Sequence, residues 1–195
     1  MTCAQTPSGE ALVGGLFSAA GMRKPRCGML WRIVLALACM PIAAAAAELP
    51  SIAVMPFELI DEQHELAPAT AEYGRLDVIT TRLRSELQSR GLYRVLDSAA
   101  AQPMIDELRA RQNLRDCNGC ELDIGRALKA DRVLLGWVQK VSNLILNINI
   151  RVEDVATGAV VLQKSVDIRG NTDDSWRRGI DALVSDMVEK GQRGR

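Results

Sequence analysis

Histidine is almost absent: His64 is the only one in 195 residues, and it stands in the acidic stretch D-E-Q-H-E. A Ser-His-Asp hydrolase needs a histidine held beside a nucleophile at an oxyanion site, and no G-x-S-x-G elbow occurs, so His64 is expected in a solvated loop. Glycine is missing where a phosphate cradle would need it. The first apolar run ends Met55-Pro56-Phe57-Glu58, which disfavours a nucleotide site. Charge of one sign is missing too, with 24 basic against 24 acidic side chains, so nucleic acid is not an expected partner. Aromatic residues make up only 4% of the chain. Trp137 falls in an apolar strand and Trp176 in an amphipathic helix, and both are expected in the core. Asp173-Asp174 suits a helix N-terminus and Asp61-Glu62 a solvated loop, so neither pair suggests acid–base catalysis.

What is present begins with a leader. Arg23, Lys24, Arg26 and Arg32 precede the apolar run Ile33 to Ala38, which leads through Met40-Pro41-Ile42 into alanines ending Ala45-x-Ala47. This is the pattern of a secretory signal peptide cleaved near 47/48, leaving residues 48–195 as one periplasmic domain. Residues 1–21 make an odd leader, and Met22 or Met29 is an alternative start. A retained anchor is interrupted by Arg32 and Pro41, and lipidation at Cys39 lacks the usual leucine three positions earlier; either would place the protein on a membrane. Residues 48–195 carry 20 basic and 23 acidic side chains, a mildly acidic balance.

Residues 51–57 read as a buried strand ended by proline, and Glu58 to Pro68 as a polar loop able to order on a partner. Leu76, Ile79, Leu83 and Leu87 recur at helical spacing up to Gly91. Tyr93 to Leu96 reads as a second strand, parallel to the first through a right-handed crossover. Helices follow from Pro103 to Gln112 and from Glu121 to Lys129. Strands run over 132–141, 143–153 and 159–168, and in the middle one Leu144, Leu146, Ile148, Ile150 and Val152 alternate with Asn147, Asn149, Arg151 and Glu153. In the last, Val160, Leu162, Val166 and Ile168 are assigned to the core side. Thr172 caps a final helix with Trp176, Ile180, Leu183, Val184 and Met187 on one stripe. The pattern predicts an α/β (α+β-like) fold: a five-stranded mixed sheet, helices packed on one face, order β-α-β-α-α-β-β-β-α.

The phrases I-A-V-M-P-F, L-R-S-E-L-Q-S-R-G, Y-R-V-L-D, I-G-R-A-L-K-A-D-R-V-L-L-G-W-V and R-V-E-D-V-A-T-G-A-V-V resemble the amino-terminal domain of TolB and the related periplasmic domains of CsgG and LpoB. They are most similar to a family of secreted bacterial proteins carried as a domain of unknown function, some of them beside quinoprotein dehydrogenase genes. The likeness spans about Ser51 to Val188. It implies an envelope module that binds or activates other proteins. The β-propeller of TolB has no counterpart after the last helix, and the hairpin at Ser142-Asn143 is too short for the membrane-spanning insertions of CsgG.

Two candidate sites remain. Cys117 and Cys120 would be the only cysteines after leader removal, and in an oxidising compartment they are expected to be joined. The bond is a staple of a short loop or a redox pair ahead of a helix N-terminus. Against redox work, no proline follows Pro103 to face the pair as in thioredoxin-like proteins; against a metal, Asp116, Glu121, Asp123 and His64 are poor companions for thiolates. The second candidate is the polar sheet face with Asn143, Asn147, Asn149, Arg151, Gln163, Ser165 and Asp167, to which Val161 adds one apolar point. A wet antiparallel face and a docking face read alike at this level. The expected function is a non-catalytic periplasmic accessory protein that binds another periplasmic or envelope protein, without cofactor or metal. A thiol–disulfide protein using Cys117 and Cys120 is the alternative.

Overall fold

The computed structural model describes residues 48–62 and 70–193, with side chains as far as Lys190. The leader, Cys39 and His64 lie outside the described residues. The elements are β1 (Ser51–Val54), β2 (Glu58–Asp61), α1 (Thr70–Ser89), β3 (Arg94–Val95), α2 (Gln102–Arg111), α3 (Cys120–Ala127), β4 (Arg132–Lys140), β5 (Ile145–Asp154), β6 (Val160–Arg169) and α4 (Asp173–Arg193). One mixed sheet takes all six strands in the order β3-β1-β4-β5-β6, with β2 also paired to β4. The α/β class and the β-α-β crossover are as the sequence predicts: β1 and β3 are parallel neighbours, and β4, β5 and β6 form an antiparallel meander.

Glu58 to Asp61 is not a loop. It is a second segment of the first strand, running parallel to β4 from Glu58↔Trp137 to Asp61↔Lys140. Between Val54↔Leu134 and Glu58↔Trp137 the first strand advances four residues while β4 advances three, so Met55 to Phe57 form a bulge. Pro56 has no N–H to offer there. The Phe57 N–H donates to Thr80 Oγ1 at 3.1 Å, and the Thr80 hydroxyl donates onward to Leu76 O at 2.7 Å. A strand that ends at a proline by sequence therefore resumes one residue out of step.

The helices are not confined to one face. Leu76, Ile79, Leu83 and Leu87 of α1 and Trp176, Ile180 and Val184 of α4 cover Ile52, Val54, Leu134, Ile148, Ile150 and Val152. On the opposite side Ile105 of α2, Ile124 of α3 and Leu114 pack on Ala53, Met55, Val133 and Leu135. Both faces of β1 and of the first half of β4 are thus buried, as a parallel strand pair requires. Beyond Leu135 the second layer stops, and the outer face of β5, β6 and the end of β4 is left without a helix. Ile105 and Ile124 are too few per helix for periodicity alone to assign a side.

The last strand departs in one respect. A register shift at Val152/Glu153 leaves Val160 52% exposed instead of in the core. Lys164 takes an inward position in β6, and its ammonium bonds Asp186 of α4. An inward charge on one edge strand, and only two residues in β3 at the other, are both features that discourage edge-to-edge pairing.

Candidate functional site: an open half-sheet beside a disulfide

The pairing of the strands sets the outer face in rows. Glu58, Trp137, Asn149 and Ser165 follow one another across β2, β4, β5 and β6; Ile60, Gln139, Asn147 and Asp167 make the next row. In the other direction Leu135, Arg151 and Gln163 make a row whose first member is covered by Leu114. Asn147, Asn149, Arg151, Gln163 and Ser165 are therefore brought onto one face. Trp137 is not in the core: it stands partly exposed in the middle of this face, because the alternation that buries Leu134 and Val138 turns it outward. Residues 133–136 are apolar on both alternating sets, which masks in the sequence the parity of the residue that follows.

The polar groups of the face are largely engaged with one another. Asn147 Nδ2 donates to Ser165 Oγ at 3.0 Å and to Asp167 Oδ1 at 2.6 Å. Gln139 Nε2 donates to Glu62 Oε1. Glu58 accepts from the Leu114 N–H and pairs with Arg115 at 2.9 Å. Arg151 donates to the Arg115 carbonyl at 2.8 Å and lies against Glu153. Arg115 thus ties the short turn Leu114–Asp116 to β2 and β5 at the edge of the open area.

That turn leads into the second candidate. Cys117 and Cys120 are joined, their Cα atoms 5.6 Å apart, at the start of α3. Asn118 and Gly119 between them both have positive φ, which suits the Asn-Gly sequence. Cys120 is buried, and the buried carboxylate of Glu121 lies with Oε2 2.9 Å from Cys117 Sγ while accepting the Gly119 N–H. Both sulfurs and the Glu121 carboxylate fall within 4.8 Å of one another, but bonded sulfurs are not thiolate ligands. A groove of 430 Å³ opens here between the disulfide loop and β5, lined by Arg115, Asn118, Glu121, Arg151 and Glu153 among others.

A third cluster went unrecognised in the sequence. Asp61, expected in solvent, is buried with Glu72 and Lys140: Lys140 Nζ is 2.7 Å from Glu72 Oε1 and 3.2 Å from Asp61 Oδ2. Asn171 Nδ2 also donates to Glu72, and Asn171 Oδ1 accepts from Trp176 Nε1. Burial alone would push the Glu72 carboxyl up, but hydrogen bonds from Lys140, from its own backbone N–H and from Asn171 hold it below its ordinary value. The Glu72 hydrogen bond in turn raises Lys140. A lysine pinned between two buried carboxylates is a latch that fixes β2, α1 and β4 together, not a poised base.

Among the described residues no helix is long and apolar enough to cross a membrane. No curated protein matches the chain by sequence. Among solved structures it is similar to the lipoprotein GNA1162 from Neisseria meningitidis, at 18% identity over 74% of this chain and 99% of that one, TM-score 0.49. It is similar to the LpoB C-terminal domain from Salmonella enterica at 17% identity over 65% and 87%, TM-score 0.46. The likeness to TolB from Acinetobacter baumannii is 12% over 74% of this chain and 30% of TolB, TM-score 0.43. A family model matches residues 50–188, almost the whole described domain, and the chain belongs to that family, described as protein of unknown function (DUF2380).

Proposed function

We propose that the chain is a non-catalytic accessory protein of the bacterial envelope that acts by binding, and that the open half-sheet is its binding face. The observation that carries this reading is the end of the helical layer at Leu135, which leaves Trp137, Asn149 and Gln163 on a flat surface with rigid strands beneath. Sites built on strands hold their geometry better than sites on loops. The signal-peptide pattern supports the compartment. Envelope assembly or a periplasmic quinoprotein dehydrogenase system is the process the family resemblance implies.

Thiol–disulfide chemistry has less support. A carboxylate 2.9 Å from Cys117 Sγ opposes both an approaching thiolate and a Cys117 thiolate left behind.

Placing a benzophenone side chain at Ser165 or Gln163 and irradiating cells tests the binding face, since benzophenone inserts into the C–H bonds of any neighbour. Adducts are expected at these positions and not at Glu107 on the outer side of α2. Equal labelling at all three, or none at 163 and 165, would remove the proposal.

A further inference from the structure

The chemistry of the open half-sheet narrows what binds it. The charges at its centre are matched, Glu58 by Arg115 and the Leu114 N–H and Arg151 by the Arg115 carbonyl and Glu153, while Arg169, opposite Ile145 at the far end of β6, makes no ion pair among the described residues. What stays unengaged at the centre is uncharged. Trp137 Nε1 has no hydrogen-bond partner among the described residues, the Asn149 amide makes only a 3.4 Å contact to the Asn147 carbonyl, and the Gln163 amide has none. Asn149 is the cross-strand neighbour of Trp137, and Gln163 faces Arg151 one row on. With strands about 4.8 Å apart, the three side chains form a diagonal track across β4, β5 and β6.

An indole plate followed by two carboxamides suits one ligand chemistry in particular. The axial C–H face of a pyranose ring carries partial positive charge and packs on the negative face of an indole. Hydroxyl and acetamido groups need partners that both donate and accept, as carboxamides do. A nucleic acid or an anionic lipid would call for unpaired cations, which the centre of this face does not offer.

We infer that the open half-sheet binds a neutral β-linked glycan bearing acetamido groups, with Trp137 as the platform and Asn149 and Gln163 as the hydrogen-bonding groups. This rests on the reading of that face as the binding surface.

Co-sedimentation of the purified protein with insoluble chitin and with protein-free murein sacculi tests it, together with tryptophan fluorescence on addition of soluble N-acetylglucosamine oligomers. Retention on both polymers is expected, unchanged by raised salt, with a fluorescence change that is absent from Trp137→Phe. Trp137→Ala is expected to weaken binding about tenfold, the scale of one aromatic stacking contact. Tyr73→Ala, on the exposed surface of α1, is expected to bind as the parent does. Should Trp137→Ala not fold, the Asn149→Ala, Gln163→Ala double variant replaces it with the same expectation of weakened binding. Retention on neither polymer, on sacculi alone, or only at low salt overturns the inference. So does a folded Trp137→Ala variant that binds as well as the parent. If glycan binding is absent while Ser165 cross-links to a protein, the glycan is wrong and the binding face stands.

Discussion

Gly136 lies directly under the ring of Phe57: a Cβ built on Gly136 would sit 2.5 Å from Phe57 Cζ. The bulge at Met55 to Phe57 turns that ring onto β4, and only a residue without a side chain leaves room for it. Gly136→Ala forces the ring or the bulge to move, and overpacking of this kind destabilises by about 1–3 kcal/mol. A denaturant midpoint unchanged from the parent would show that β2 is not held in this way. Phe57→Leu in the Gly136→Ala background should recover part of the loss.

Lys140→Met leaves the buried Glu72 carboxylate without the ammonium 2.7 Å from it. Breaking one partner out of a buried ion cluster destabilises by about 3–5 kcal/mol, and urea unfolding at neutral pH measures it.

The lowered Glu72 pKa gives a pH dependence with a definite sign. The unfolded carboxyl titrates near 4.5 and the folded one below it, so this stability is fully present above the unfolded value and is lost as pH falls through the folded one. Glu72→Gln should flatten the acid limb of the stability curve below about pH 4.5. An acid limb of unchanged steepness would mean that other carboxylates carry it.

The two tryptophans of the described domain should separate cleanly. Trp176 is fully buried and its Nε1 donates to Asn171, so Trp176→Ala should destabilise by about 3–5 kcal/mol. Trp137→Ala, at a partly exposed position, should lie well below that range. Thermal melts of both variants decide it; equal losses would place Trp137 among the structural residues.

Replacing Cys117 and Cys120 by serine opens a loop of sequence separation 3, for which chain entropy predicts a loss of about 2 kcal/mol or less. Glycan binding should persist, and the reduction potential of the parent should lie below about −300 mV. A value between roughly −120 and −230 mV would place the pair among exchange catalysts.

Periodicity by itself determined the helices and the strands of the antiparallel meander, because each depends on short-range alternation that burial of one face imposes, and the helix joining β1 to β3 made that pair parallel through the crossover rule. The two-residue period alone put Asn147, Asn149 and Arg151 on one face of β5 and Gln163 and Ser165 on one face of β6, and the β5–β6 register joined the two sets. Tertiary structure decided the rest. Which side of the sheet α2 and α3 cover depends on the chain crossing from β3 past β1 to β4, and apolar residues on both sets of β1 and β4 accept either answer. Asp61 reads as solvated until Lys140, 79 residues away, meets it in the folded chain. Trp137 reads as core until the helical layer ends one row short of it. Local sequence carries the side-chain period, while the extent of cover over a sheet is set by packing between elements distant in the chain.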